Sequence, residues 1–362
     1  MPKIFVPQDT SAVAVGAEQV ALAFQSAIDT TDSSYSVVRN GSRGAFWLEP
    51  MVEVECGDQR AVFGPVTAND ASSILACCEL GHPHRHALYL GPVDGLEWLK
   101  NQTRTMFSRC GVGDPVDIEN YQSMGGFSGL RRALDLSAQA IVDEIKTSGL
   151  RGRGGAAFPT GIKWQTVHDA PADQKYIVCN ADEGDSGTFA DRLIMEADPY
   201  QLIEGMTIAG LAVGATEGYI YLRSEYPRAQ RILETAIDVA LDQGYLGENL
   251  LGSGKCFDLE VRMGAGSYIC GEETALLNSL EGRRGVVRAK PPLPAIEGLF
   301  GKPTVVNNVL TLTSVTAVLA DGGERYASFG VGRSKGTIAL QLAGNICRGG
   351  LIEVPFGASL RS

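Results

Sequence analysis

From about residue 128 to 330 the chain repeats one unit, a short apolar run followed by a longer stretch with helical spacing. "QKYIVCN", "GYIYLR" and "FDLEVRMG" have the length and β-branched or aromatic content of strands. Between and around them lie "SAQAIVDEIKTSG", stopped at Gly149, the amphipathic "YPRAQRILETAIDVALDQG", and "EETALLNSLEG", stopped at Gly282. The run "DPYQLIEGMTIAGLAVGA" is mostly apolar with small residues on one side, which predicts a buried helix. Strands alternating with helices of this length require a parallel sheet covered on both faces, an α/β fold. Ligands of such sheets bind beyond the carboxyl ends of the strands, so the loops there are the first place to seek chemistry.

The flanking parts read differently. Residues 1–115 form a smaller α/β unit: "KIFVP", "SYSVVR" and "MVEVEC" are strand-like, and "GAEQVALAFQSAI" and "TANDASSILACCELG" are helical. "RCGVGDPVDIENYQSMGGFSG" carries Gly, Pro and Asp and is read as a linker into the unit 116–330. Residues 331–362 read as strand, turn, strand.

The net charge of −11 argues against a nucleic-acid binder, which needs a basic face. No window approaches the run of about 18 apolar residues that spans a bilayer, and "MPKIFVPQDT" lacks the pattern of a signal peptide. The 8 cysteines then read as reduced thiols of a cytoplasmic protein. "HPHRH" holds three histidines, but no cysteine or carboxylate spacing accompanies it, so no metal site is assigned in this chain.

Four loops carry ligand-binding features. In "RGRGGAAFPTG", Gly152, Gly154 and Gly155 permit close backbone approach, Arg151 and Arg153 add charge, and Phe158 offers a ring for stacking. Ala157 breaks the strict dinucleotide fingerprint. "CNADEGDSGTFADR" crowds Asp182, Glu183, Asp185 and Asp191 directly after a strand. In "GAGSYICGEET", three glycines precede Glu272 and Glu273 in the first turn of a helix, suited to hydroxyl groups or simply to the helix dipole. "EGRRGVVRAKPPLP" places Arg283, Arg284, Arg288 and Lys290 in a proline-rich loop that can reach phosphates. "GSGKC" is rejected as a P-loop because Asn249 and Cys256 occupy positions that need Gly and Ser or Thr.

Together with "GKPTVVNNVLTL", these loops resemble, in order, the family of the flavin-carrying, NADH-oxidising 51 kDa subunit of respiratory complex I, whose module also serves NAD-linked hydrogenases and formate dehydrogenases. The variants "NADEGDSGTFADR", "RGVVRAKPPLPAIEGLFG" and "VVRNGSRGAFWLEPMVEVE" look most like the beta, or diaphorase, subunit of soluble NAD-dependent formate dehydrogenase. The resemblance implies a thioredoxin-like domain over 1–115, a Rossmann-like FMN- and NAD(H)-binding domain over 116–330, and the start of a soluble-ligand-binding β-grasp domain over 331–362. It implies that FMN is surrounded by Gly152, Arg153, Gly154, Lys163, Asn180, Asp182, Glu183, Gly271, Glu272, Asn307 and Asn308. Phe158, Asp185, Glu273 and Lys290 would face NAD(H). Hydride transfer through a flavin asks for no catalytic acid or nucleophile on the protein.

The resemblance also implies partners: a molybdenum- or tungsten-containing catalytic subunit and a small thioredoxin-like 2Fe-2S subunit. Complex I or a bidirectional hydrogenase is the alternative setting, and a non-catalytic nucleotide-binding or assembly module the alternative class. Three departures stand out. Asp185 replaces a glutamate common in relatives, and Leu293 and Thr166 stand where some relatives place aromatics around adenine. "VVRNGSRGAFW" lacks a cysteine where a first cluster ligand is expected, and Cys56, Cys77, Cys78 and Cys110 do not restore a four-ligand set. Complete relatives continue to a 4Fe-4S cluster whose cysteines are absent from this chain, so it reads as truncated before its electron outlet.

Overall fold

A computed structural model describes residues 1–359, so residues 360–362 of the segment read as the start of a β-grasp unit lie outside the described residues. Five strands near the N-terminus, β1 (Lys3–Pro7), β2 (Ser36–Asn40), β3 (Val52–Cys56), β4 (Gln59–Phe63) and β5 (Tyr89–Pro92), form one sheet in the order β2-β1-β3-β4-β5. β1 and β2 are parallel because the helix Ala17–Thr31 crosses between them, and the later neighbours are antiparallel. That helix and Ala71–Glu79 bury Phe24, Ile74 and Leu75 against Ile4, Val54 and Phe63 of the sheet. In "VVRNGSRGAFW", Arg43 makes a buried ion pair with Glu53, and Ser42 Oγ donates to Glu49 at 2.5 Å.

Four parallel strands form the central sheet: β6 (Tyr176–Ala181), β7 (Glu217–Leu222), β8 (Asp258–Met263) and β9 (Thr304–Asn308), in the order β8-β7-β6-β9. Helices Pro199–Val213 and Pro227–Asp242 carry the chain from β6 to β7 to β8. The chain then returns past the helix Glu273–Leu280 to lay β9 on the far side of β6. Strand order therefore reverses between β6 and β9. This opens a crevice at their carboxyl ends, where Cys179 pairs with Asn307 and Asn180 with Asn308 in register.

Helix Pro199–Val213 is buried almost throughout, as its composition predicts, and lies against the helix Val309–Asp321 that leaves β9. Glycine is needed at Gly205, where a Cβ would stand 2.1 Å from the Leu312 carbonyl oxygen.

The segment read as a linker is instead part of the main core. Cys110 and Phe127 are fully buried, Ile118–Ser123 is helical, and Tyr121 Oη donates to buried Glu204 at 2.5 Å. Glu204 also accepts from the Phe127 and Leu130 amides, both at 2.9 Å. One carboxylate on the central helix thus supplies acceptors for the amides at the start of the helix Ser128–Asp135 and for the Tyr121 hydroxyl. The linker reading failed because that acceptor lies some 80 residues downstream, with |i−j| of 83 for Tyr121.

Beyond a short hairpin, β10 (Gly330–Val331) and β11 (Ser334–Lys335), the antiparallel pair β12 (Thr337–Leu342) and β13 (Gly350–Pro355) closes the described chain. Glu353 of β13 is wholly buried and accepts from the amides of Thr105, Met106 and Phe107 at 2.8–3.1 Å, fastening this pair to the body. Among the described residues no helix is long and apolar enough to cross a membrane.

Candidate functional site

A cleft of about 470 Å³ opens over the crevice between β6 and β9. One wall is the glycine loop. Arg151 and Pro159 pair as an isolated antiparallel bridge, and Gly152 N donates to Phe158 O at 2.9 Å, so residues 152–158 form a closed lobe. Gly155 takes φ +104°, and Ala157 takes φ +50°, a left-handed conformation that costs a residue with a Cβ about 1–2 kcal/mol. A Cβ on Gly154 would stand 3.0 Å from Asn308 Cβ, so glycine there lets the lobe close onto the end of β9.

The floor presents amide donors. Asn307 Oδ1 accepts from Trp164 Nε1 at 2.9 Å, and Asn308 Oδ1 accepts from Leu310 N at 2.9 Å, capping the helix Val309–Asp321. Asn180 Oδ1 accepts from Asp182 N at 3.2 Å, while its Nδ2 donates to Gly271 O at 2.8 Å. With the three oxygens engaged, the free hydrogens of these side chains are what remain for a ligand. The helix N-terminus behind Asn308 adds positive potential. Lys163 lines the same floor. Its Nζ donates to Val306 O at 2.7 Å and lies 3.8 Å from Glu273, and burial lowers its pKa.

On the opposite lip Lys290 Nζ donates to Glu272 at 3.1 Å and Glu273 at 2.7 Å. Partial burial alone would raise the Glu272 pKa, but bonds from Thr274, Ala275 and Lys290 outweigh it and hold the carboxyl below its usual range. Glu272 caps the helix Glu273–Leu280, with Oε2 accepting from the Thr274 and Ala275 amides at 2.8 and 3.0 Å. Of the arginines in the same loop, Arg283 and Arg288 pair with Glu281, and it is Lys290 that reaches the cleft.

Gly152, Gly154, Phe158, Lys163, Asn180, Gly271, Glu272, Glu273, Lys290, Asn307 and Asn308 therefore share one lining, together with Thr166 and Leu293. Four predicted residues do not. The Arg153 side chain turns away to the Thr337 and Lys335 carbonyls at 3.1 and 2.7 Å, tying the glycine loop to the terminal strands. Glu183 is buried and accepts from Asp191 N, Arg192 N and Tyr226 Oη at 2.9, 3.1 and 2.9 Å, so its carboxylate is spent on the start of the helix Ala190–Ala197. Asp182 sits behind Gly271, its Oδ2 without a partner among the described residues. Burial pushes the Asp182 carboxyl up to about 6 although Arg223 pulls it down. Asp185 is exposed and accepts from Tyr268 Oη at 2.8 Å.

The sequence reading overlooked Trp164, Tyr268 and Thr311. Trp164 orients Asn307 from inside the core, Tyr268 covers Gly184 and holds Asp185, and Thr311 joins the cleft floor. Asp191 was noticed as one of the crowded acids, but its partner, Asn308, was not.

An open parallel sheet with a glycine lobe, amide donors and a helix N-terminus converging at its switch point defines a nucleotide-binding protein. Residues 145–317 match the Nuo51 FMN-binding domain family of complex I 51 kDa proteins. The chain is 50% identical over 262 residues to the NADP-reducing hydrogenase subunit HndC of Solidesulfovibrio fructosivorans, covering 72% of this chain and 53% of that one. It is 49% identical over 251 residues to a subunit of the NADH-quinone oxidoreductase of Rhizobium meliloti, covering 69% and 60%. The corresponding NADH-quinone oxidoreductase subunit in Escherichia coli is 49% identical over 249 residues, covering 68% and 56%. In an NAD⁺-reducing [NiFe]-hydrogenase, the H₂-reduced structure superposes with a TM-score of 0.61 at 28% identity, covering 99% of this chain and 59% of that one. The chain belongs to the complex I 51 kDa flavoprotein family, and it spans little more than half the length of these relatives. The donor-rich floor fits FMN, whose phosphate and ring carbonyls are acceptors.

Proposed function

We propose that this chain is an FMN-carrying diaphorase subunit that passes hydride between NAD(H) and FMN, and that its electrons come from formate oxidised on a separate molybdenum or tungsten subunit. The observation that carries the first part is the union of amide donors, glycine lobe and Lys163 in one cleft. Bound FMN supplies a two-electron centre able to exchange hydride with nicotinamide. The chain's own residues bind and orient. The glycine lobe and asparagines hold the flavin nucleotide, and Lys163 complements its phosphate. Phe158, 50% exposed at the lip, offers an apolar face for a second planar ring. Glu273 and Asp185 accept from ribose hydroxyls, and Lys290, now paired with Glu272 and Glu273, is released towards a pyrophosphate. No side chain has to donate or remove a proton, because hydride carries the reducing equivalents.

The chain reconstituted with FMN is expected to bleach near 450 nm when NADH is added without oxygen, and much less with NADPH. Asp185→Asn is expected to narrow that preference, because it removes the charge that repels a 2′-phosphate. Bound flavin that stays oxidised under NADH would sink the diaphorase reading and leave a nucleotide-binding or assembly module. The formate part is supported by the sequence variants around Asp185 and the proline-rich loop. Tagged chain from its native host is expected to co-purify with a molybdenum- or tungsten-containing partner and formate-dependent NAD⁺ reduction. Recovery with quinone reductase or hydrogenase subunits would replace it by the complex I or hydrogenase setting.

A further inference from the structure

Beneath the cleft lies a buried acid that the binding scheme does not use. Asp191, in the first turn of the helix Ala190–Ala197, is 4% exposed. Its Oδ2 accepts from Asn308 Nδ2 at 2.6 Å. Asn308 Oδ1 is already committed to Leu310 N, so its two polar atoms are fixed by two separate helices. One amide hydrogen then remains for the cleft, in a direction set by Asp191. A Cβ on Gly154 would stand 3.0 Å from Asn308 Cβ, so the glycine lobe closes directly onto this side chain and leaves little room for another rotamer.

We propose that Asp191 is a positioning residue that acts through Asn308 on FMN, and that it does so as an uncharged carboxylic acid. Three groups close to it bear on its charge. Glu183 accepts from three donors, including the Asp191 amide, and is therefore the better-solvated carboxylate of the pair. The Cys179 thiol of β6 is buried and neutral, and the Arg192 guanidinium is directed to Ser11 Oγ at 2.9 Å and over the Phe189 ring. Burial first, and Glu183 second, push the Asp191 carboxyl well above its ordinary range. Removing a charge from a site that receives electrons shifts its potential, whereas swapping a neutral acid for a neutral amide does not.

The inference rests on FMN as the ligand of this cleft and is independent of the electron donor. The test uses the full chain and FMN itself, with affinity read by flavin fluorescence quenching and midpoint potential by dye-equilibrated titration from pH 6 to 8. Asp191→Ala is expected to weaken FMN binding at least tenfold. Asp191→Asn keeps an oxygen for Asn308 and is expected to stay within twofold of the parent, with the same midpoint potential at every pH. Equal FMN affinity in the parent and Asp191→Ala overturns the positioning role while leaving the flavin reading intact. A raised potential in Asp191→Asn shows that a charge was removed and overturns the neutral state, even if Asp191→Ala fails to fold. Failure of the parent to take up FMN overturns both.

Discussion

Glu183→Ala is expected to lower folding stability by about 3–5 kcal/mol and FMN affinity at least tenfold. Glu183 stands in the loop that follows β6, and burial raises its pKa against the pull of its hydrogen bonds. Its two oxygens accept from Asp191 N, Arg192 N and Tyr226 Oη. Alanine leaves two amides at a helix start and one phenol without a partner, in a place water reaches poorly. Each orphaned buried donor costs about 1–3 kcal/mol, so the sum stays large after partial relaxation. The same helix start carries Asp191, and through it Asn308, so cofactor affinity falls with stability. Arg223 also donates to the Glu183 carbonyl and keeps the loop attached to β7, which is why local damage rather than global collapse is expected. Urea denaturation and FMN titration measure both effects. Glu183→Gln, which keeps the shape but turns a donor towards donors, should fall between the two. A midpoint of unfolding within error of the parent would refute the anchoring role.

The second large effect is expected at Gly205→Ala, a change of one methyl group within a buried helix. The helices Pro199–Val213 and Val309–Asp321 touch there, and the new Cβ would meet the Leu312 carbonyl oxygen at 2.1 Å and its carbon at 2.7 Å. Both are backbone atoms, so no side-chain rotation relieves the contact and one helix must move by about an ångström. Overpacking of this kind costs about 3 kcal/mol. The helix that moves begins at Asn308, so FMN binding weakens as well. Thermal melting of the apo and FMN-loaded chain should show a lower transition and a smaller gain from FMN. An unshifted melting temperature would mean that the two helices are not tightly packed at this point.

Much of this was legible in the sequence. Gly149 and Gly282 were read as stops: the helix ends at Ser148 with Gly149 at φ +64°, and the later one ends at Leu280 just before Gly282 at φ +73°. Hydrophobic spacing placed β6, β7 and β8, because burial on a helix or strand imposes a period that neighbours along the chain reveal. The same loops, taken as motifs in order, pointed to the 51 kDa family. β4 was missed, being five residues joined to β3 across the Gly57–Asp58 turn.

The acidic loop shows where sequence reasoning ends. Its residues Asp182, Glu183, Asp185 and Asp191 are close in the chain and alike in charge, and the family resemblance implied FMN contacts for Asp182 and Glu183 and an NAD(H) contact for Asp185. Tertiary structure separates them. Glu183 holds a helix, Asp191 holds Asn308 across 117 positions, Asp185 meets Tyr268 at the surface, and Asp182 stays half-buried behind Gly271. The sequence alone determined the periodic elements, the parallel sheet and the loops at its carboxyl end, since these follow from the spacing of apolar residues and glycines. Only the tertiary structure decided that none of these four carboxylates lines the cleft and that Asp191 supports it from behind through Asn308. A buried polar group must find its partner wherever the fold brings one, and Tyr226 for Glu183, Tyr268 for Asp185 and Asn308 for Asp191 stand 43, 83 and 117 positions away.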